Sequence, residues 1–103
     1  MAEMAGAKYL CSHLVTLVRG GISITANLEE IWPEGAVVEA DTNSETGERI
    51  EIRSAEYALG GRVIQTERHQ FGCRIVIEFE RPWSADEFRP DHLLDLGALR
   101  NRC

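Results

Sequence analysis

The chain has 103 residues, of which 44% are hydrophobic, and a net charge of −6 from 11 basic and 17 acidic residues. This length fits a single domain with one core. The acidic balance argues against a nucleic-acid polymer or an anionic membrane as a partner, because both require basic patches. No apolar run reaches the roughly 18 residues that predict a membrane span.

Cysteine use and the N-terminal residues indicate the compartment. The three cysteines, Cys11, Cys73 and Cys103, have no framework spacing, which is typical of a reducing environment. The opening "MAEMAGAKYL" lacks the basic start and apolar block of a secretory signal. We therefore expect a cytoplasmic protein.

Six strand-like runs follow one another along the chain. In order they are "YLCSHLVTLV", "GISITANLEEI", "GAVVEAD", "ERIEIRS", "GGRVIQTER" and "QFGCRIVIEFE". The second run places alternate apolar residues on one face, namely Ile22, Ile24, Ala26 and Leu28. The last run does the same with Phe71, Cys73, Ile75, Ile77 and Phe79, opposite Arg74, Glu78 and Glu80. Alternation of this kind indicates half-buried antiparallel strands.

Turn signals separate the runs. Gly20 and Gly21 divide the first strand from the second, and residues 41–48 form a polar stretch that predicts a hairpin loop. The segment "ALGG" predicts the end of an element at Gly61, and a turn near His69 joins the last two strands. Six short strands about ten residues apart predict an all-β fold, an antiparallel barrel or sandwich.

The C-terminal part changes to a helical pattern. Ser84 and Glu87 form a capping-box signature for one helical turn, which Pro90 ends. A second short helix is expected to start at Asp91, with Leu93, Leu96 and Arg100 along one side and Leu94 helping to pack it. We therefore divide the chain into an arm (1–8), a barrel (9–81) and a short helical extension (82–103).

Four side chains have the chemistry of metal ligands, namely Cys11, His13, His69 and Cys73. An extended strand separates the Cα atoms of His69 and Cys73 by roughly 13 Å at about 3.3 Å per residue. Both cannot then reach one zinc ion at about 2.0–2.3 Å unless the chain turns sharply between them. We expect no metal site, and we interpret Cys73 as a small core residue.

No nucleophile elbow or glycine-rich phosphate loop is present, so we expect no enzyme activity and no catalytic residues. A Cys-His pair assembled only by folding stays open. The paired carboxylates, at Glu29-Glu30, Glu78 and Glu80, and Asp86-Glu87, are interpreted as surface charge, since no apolar pocket surrounds them in the pattern.

Two tryptophans lie at turns. Trp83 follows Pro82, where the barrel gives way to the extension, and we interpret it as a packing residue. Trp32 comes directly before Pro33, and both packing and an interface anchor are open for it.

The order of the strands, the turn at Gly35 and the closing strand "GCRIVIEFE" resemble a PilZ domain, a bacterial six-stranded barrel that senses cyclic di-GMP. The likeness covers Leu10 to Glu80. The segment "WSADEFRPDHLLDL" is similar to the extension that follows the barrel in some short PilZ-like proteins. The resemblance implies a six-stranded antiparallel barrel with a short C-terminal helical tail.

PilZ domains that bind the dinucleotide carry two motifs. The motif Asp/Asn-x-Ser-x-x-Gly aligns with "EIWPEG", so Glu30 takes the first position, Trp32 the serine position and Gly35 the glycine. The motif Arg-x-x-x-Arg in the N-terminal arm is missing, and only Lys8 stands there. Lysine lacks the guanidinium fork that binds phosphate in a bidentate way. The resemblance therefore implies weak or lost cyclic di-GMP binding.

Three hypotheses follow. The first is a non-enzymatic PilZ-like regulatory module that acts through protein contacts and needs no cofactor. The second is a genuine cyclic di-GMP receptor that uses Lys8, Arg19 or Arg62 as substitute cations. The third is a small metal or hydrolytic protein that uses the cysteines and histidines. Self-association through an edge strand is compatible with any of them.

Overall fold

The computed structural model describes residues 8–55 and 57–95, which form seven strands. They are β1 (Tyr9–Arg19), β2 (Ile22–Trp32), β3 (Gly35–Ala40), β4 (Arg49–Ser54), β5 (Tyr57–His69), β6 (Gly72–Phe79) and β7 (Leu94–Asp95). The strand order is β2-β3-β6-β5-β4-β1-β7, and β1 also pairs with β2. This pairing closes the first six strands into an antiparallel barrel, which confirms the predicted all-β, six-stranded architecture.

The barrel interior is filled by the apolar side chains that alternate along the strands. The largest fully buried ones are Leu17, Leu28, Ile31, Ile50, Leu59, Ile75, Ile77, Val38, Val63 and Cys73. Cys73 is therefore a core residue, as predicted. Two residues assigned to the apolar faces of strands were placed wrongly: Ile22, the first residue of β2, is 59% exposed, and Phe71, in the turn before β6, is 81% exposed.

The turn between β1 and β2 matches its prediction. Arg19 pairs with Ile22, and the two residues between them, Gly20 and Gly21, have φ angles of 56° and 85°. Positive φ at both central positions defines the type I′ turn, whose twist suits a two-residue hairpin.

Residues 41–48 do not form a hairpin, so that prediction was wrong. β3 pairs with β2 and β6, whereas β4 pairs with β5 and β1. The segment instead crosses one end of the barrel. It is held to β1 by Arg19, whose Nε donates to Glu48 Oε2 at 2.6 Å and whose Nη1 donates to Thr42 at 3.3 Å.

The prediction that an element ends at Gly61 was also wrong, because β5 continues through Gly60 and Gly61 to His69. A Cβ atom on Gly61 would lie 2.3 Å from the carbonyl oxygen of Glu78. The glycine is needed because the β6 backbone passes close by, and such an approach inside a strand cannot be told from a turn by composition.

The C-terminal part contains no helix among the described residues. The amides of Glu87 and Phe88 donate to Ser84 O at 3.0 and 3.3 Å, so Ser84 forms one turn that does not continue. The second predicted helix was wrong over its described part, where a turn containing His92 at φ 59° leads into β7. Leu96 and Arg100 lie outside the described residues.

The packing of this tail also differs from the expectation. Leu93 is half-buried and packs against the core, whereas Leu94 is 45% exposed. The division of the chain into arm, barrel and extension stays a prediction. No helix in the described part of the chain is long and apolar enough to cross a membrane.

Candidate functional site

The turn between β2 and β3 is built by Pro33 and Glu34, since Trp32 and Gly35 on either side are register partners. Its carbonyl groups accept hydrogen bonds from the last residue of β6 and from the residues that follow β6. Phe79 N donates to Glu34 O at 2.8 Å, and Trp83 N donates to Pro33 O at 2.9 Å. Backbone hydrogen bonds alone therefore hold both residues of the turn in place.

Gly35 is required by close approach rather than by its dihedral angles. A Cβ atom at this position would lie 2.4 Å from Ile77 O and 3.0 Å from Trp32 Cζ2. The β6 backbone and the indole ring therefore occupy the space above the glycine. The sequence selected Gly35 as the glycine of the motif, and the structure shows that a larger residue would collide with the β6 backbone and the indole.

Trp32 lies on the outer surface of the barrel. Ile31 is fully buried in the core, so its neighbour Trp32 points to the opposite face, where it is half-buried. Lys8 Nζ lies 4.6 Å from the centre of the indole ring, in the geometry of a cation–π contact. Trp32 is therefore neither a core residue nor fully exposed: a lysine from the N-terminal arm covers it.

Glu30 holds the cations of this region. Its carboxylate lies 3.5 Å from Lys8 Nζ and 3.0 Å from Arg74 Nη2, and its side chain is only 18% exposed. Arg74 also approaches Glu29 at 3.5 Å. The hydrogen bond to Glu30 raises the pKa of the Arg74 guanidinium. Glu30 is therefore a surface charge that is paired with two cations and largely covered.

Arg74 is a residue of this site that sequence reasoning missed. It was assigned to a solvated strand face, and nothing in its own strand contradicts that. Its partners lie on β2, two strands away, because β3 stands between β2 and β6. Only the strand order could have revealed the contact. We call the group of Lys8, Glu30, Trp32, Gly35 and Arg74 the Trp32 surface.

Val37 shows that this outer surface is packed. It lies between Ala36 and Val38 of β3, both of which face the core, so Val37 faces outward. It is nevertheless only 3% exposed. Side chains on the outside of the barrel must therefore cover it.

The two other proposed cations do not join the Trp32 surface. Lys8 and Arg19 stand at opposite ends of β1, roughly 35 Å apart at about 3.3 Å per residue. Arg62 is in register with Gly35 through Glu78, but its Nη1 donates to Gly47 O at 3.0 Å. Lys8 therefore contacts Trp32, whereas Arg19 and Arg62 have other partners.

The cysteines and histidines also separate. Cys11 Sγ donates to Leu28 O at 3.5 Å, His13 lies 2.8 Å from Ser54 Oγ, and His69 lies 2.7 Å from Glu39. Burial, with Glu29 and Glu30 nearby, raises the pKa of the Cys11 thiol to about 11. Within residues 8–55 and 57–95, no three His, Cys, Asp or Glu side chains are placed to hold a metal ion.

A scan against protein-family models finds no match, and a search of curated proteins finds none either. The barrel is observed, whereas the PilZ assignment rests on the residues quoted above and stays a prediction.

Proposed function

We propose that this protein is a PilZ-like, non-enzymatic regulatory module of the cytoplasm, which acts through contacts between the Trp32 surface and a protein partner. The closed six-stranded barrel is the architecture that the resemblance implies. The half-buried indole, placed on the outside of that barrel, has the size and amphipathic character of an interface anchor.

One observation carries this proposal: the two cations of the Trp32 surface, Lys8 and Arg74, are already paired. Glu30 approaches both Lys8 and Arg74, and the Lys8 ammonium also lies over the indole. A cyclic dinucleotide brings two phosphate charges, and Glu29 and Glu30 would repel them. On this surface the cations are neutralised by a carboxylate, while the aromatic ring stays partly exposed. Such a surface is better suited to contact a protein than to bind a phosphate group.

A second candidate function is cyclic di-GMP binding with substitute cations. The observation in its favour is that Lys8 and Arg74 are both held by a single carboxylate, that of Glu30. Glu30→Gln would release both cations without changing the size of the side chain. If the ligand site survives, this variant binds cyclic di-GMP more tightly than the wild type in a calorimetric titration. Equal absence of heat argues against this candidate.

The leading proposal is tested by Trp32→Ala, with Phe71→Ala as the matched control. Phe71 is also an aromatic residue on the surface, 81% exposed, but it lies outside the Trp32 surface. Self-association is measured by sedimentation velocity, and partner binding by affinity capture with each variant as bait. We expect Trp32→Ala to reduce these interactions and Phe71→Ala to leave them unchanged.

If Trp32→Ala leaves the melting temperature, the capture of partners and the self-association unchanged, the indole neither stabilises the barrel nor anchors an interface. Trp32→Phe distinguishes a loss of barrel stability from a loss of the interface contact. It keeps an aromatic ring over Gly35 and is expected to retain the melting temperature while weakening a contact that depends on the full indole.

A further inference from the structure

One mouth of the barrel is lined by polar and aromatic side chains. His13, Ser54 and Tyr57 lie on the inward faces of β1, β4 and β5, because each stands two residues away from a core residue of the same strand. Those core residues are Val15, Ile52 and Leu59. His13 Nε2 lies 2.8 Å from Ser54 Oγ, and Ser54 is the register partner of Tyr57. The three side chains therefore meet at the same end of the barrel.

The chain after β6 covers part of this end and leaves a cleft beside it, which we call the mouth cleft. Phe88 stacks on Tyr57, with ring centroids 5.1 Å apart, and meets the His13 ring edge-on at 5.4 Å. The mouth cleft has a volume of about 540 Å³ and is lined by these three rings together with Ser54, Ala55 and Arg89. That volume lies within the roughly 300–1,000 Å³ that is typical of small-molecule sites, which also occur in the mouths of barrels.

The carboxylate of Glu87, which also lines the mouth cleft, is already paired. Tyr57 Oη donates to Glu87 Oε1 at 3.1 Å, and Arg81 Nη1 donates to the same oxygen at 3.3 Å. The Arg81 guanidinium also lies 5.6 Å from the centre of the Tyr57 ring. Because Arg81 balances its charge, Glu87 repels an anionic ligand much less than an unpaired carboxylate would.

Ser54 has a hydroxyl proton to donate. Asp91 N donates to His13 Nδ1 at 3.1 Å, so the neutral imidazole carries its proton on Nε2 and donates it to Ser54 Oγ. No described residue accepts the proton of the Ser54 hydroxyl in turn. The same hydrogen bonds argue against a hydrolytic triad, although Asp91 Oδ2 lies 3.3 Å from Nδ1, because a general base needs Nε2 free to accept the serine proton.

Arg89 is the second donor of the mouth cleft. Its side chain is exposed, and within residues 8–55 and 57–95 no hydrogen bond or ion pair joins it to another residue. The guanidinium is therefore available to bind a carboxylate through two parallel hydrogen bonds. Ala55, which lines the same cleft, has a φ angle of 53°. Residues other than glycine that are held in this left-handed region cluster at ligand sites.

We propose that the mouth cleft binds a small aromatic carboxylate. The ring of the ligand packs against Phe88 and Tyr57. Its carboxylate accepts hydrogen bonds from Ser54 Oγ and from the Arg89 guanidinium. Since the two groups without a partner are both donors, and one is a cation, they favour an anion over a neutral ligand. The mouth cleft shares no residue with the Trp32 surface, so this inference goes beyond the proposed function and does not depend on it.

The test titrates the full-length chain with benzoate, phenylacetate and indole-3-acetate, and with the neutral carboxamide of each acid. Binding is followed by the chemical shifts of the backbone N–H groups, and the melting temperature of every variant is recorded. Arg89→Gln removes the cation, and Ser54→Ala removes the hydroxyl. Arg68→Gln is the matched control, because Arg68 is an exposed arginine of β5 that lies outside the mouth cleft.

We expect at least one acid to shift the N–H signals of Ser54, Ala55, Phe88 and Arg89 in a saturable way and to bind severalfold more tightly than its carboxamide. Arg89→Gln and Ser54→Ala should each weaken that binding severalfold, whereas Arg68→Gln should not. The proposal is overturned if none of the three acids gives saturable shifts, or if acid and carboxamide bind equally. Equal losses in Arg68→Gln and Arg89→Gln would also overturn it, because net charge would then explain the binding. If Ser54→Ala does not fold, Arg89→Gln decides.

Two further measurements complete the test. The nitrogen chemical shifts of the His13 ring report its tautomer, and donation from Ser54 requires the proton on Nε2. A proton on Nδ1 would contradict the role given to Ser54. Trp32→Ala should bind the acid as tightly as the wild type does, and weaker binding in this variant would contradict the separation of the mouth cleft from the Trp32 surface.

Discussion

Replacing Gly35 by alanine tests the packing that builds the Trp32 surface. The added Cβ would lie 2.4 Å from Ile77 O, whereas ordinary contact begins at 3.4 Å, so the β6 backbone or the turn must move by about 1 Å. Overpacking of this kind costs roughly 1–3 kcal/mol. Reduced entropy of the unfolded chain offsets about 0.5 kcal/mol of that cost.

The net loss of roughly 0.5–2.5 kcal/mol is measurable by urea denaturation. With a slope of about 1.5 kcal/mol per M, the midpoint of Gly35→Ala should fall by about 1 M. The melting temperature should fall by roughly 2–20 °C for a domain of this size.

Gly60 and Gly61, both in β5, provide the comparisons. A Cβ on Gly61 would meet Glu78 O at 2.3 Å, so Gly61→Ala should be destabilised as strongly. A Cβ on Gly60 would meet the side-chain ends of Arg49 and Glu80, at 2.6 and 2.9 Å. Those ends are exposed and can move, so Gly60→Ala should change the midpoint little. Equal midpoints for Gly35→Ala and the wild type, or equal losses at Gly60 and Gly35, would refute the reasoning.

Three further predictions concern the core, the thiol and an ion pair. Leu17→Ala removes a fully buried side chain and should cost about 2–5 kcal/mol in urea denaturation. With its pKa raised to about 11, Cys11 in a Cys103→Ser background should react slowly with iodoacetamide at pH 8 and faster as the pH approaches 11; fast alkylation at pH 8 would contradict this. Arg19 lowers the pKa of Glu48 below 4.5, so Arg19→Gln should lose a small stabilisation above pH 4.5. That difference should fade as the pH falls through the lowered value, and a loss that persists at pH 2 would exclude the ion pair as its cause.

The barrel was predictable because the pattern of residues along each strand indicates which side chains are buried. Cys73, Ile75 and Ile77 share one face of their strand, opposite Arg74 and Glu78, and the Gly20-Gly21 pair has the backbone freedom of a type I′ turn. Composition could not distinguish a glycine that ends a strand from one that lets another strand approach, which is why Gly61 was placed wrongly. The residues between β3 and β4 resembled a hairpin loop because polarity does not encode which strands pair.

The site was predictable only in part. Glu30, Trp32 and Gly35 were selected from one short motif, and Lys8 was selected as the cation of the arm. Their meeting depends on strand register, and Arg74 depends on strand order across β3, neither of which one sequence reveals. The contact between His13 and Asp91 joins residues 78 positions apart, a separation at which local patterns carry no information.

The central claim is that paired cations leave the Trp32 surface free for a protein and unsuited to a cyclic dinucleotide. Calorimetric titration of the folded wild-type chain with cyclic di-GMP, at low and moderate salt, tests it most directly. We expect no heat of binding at either salt concentration. Micromolar binding that weakens with salt, and is lost in Lys8→Gln or Arg74→Gln, would contradict the claim and make this barrel a receptor for the dinucleotide.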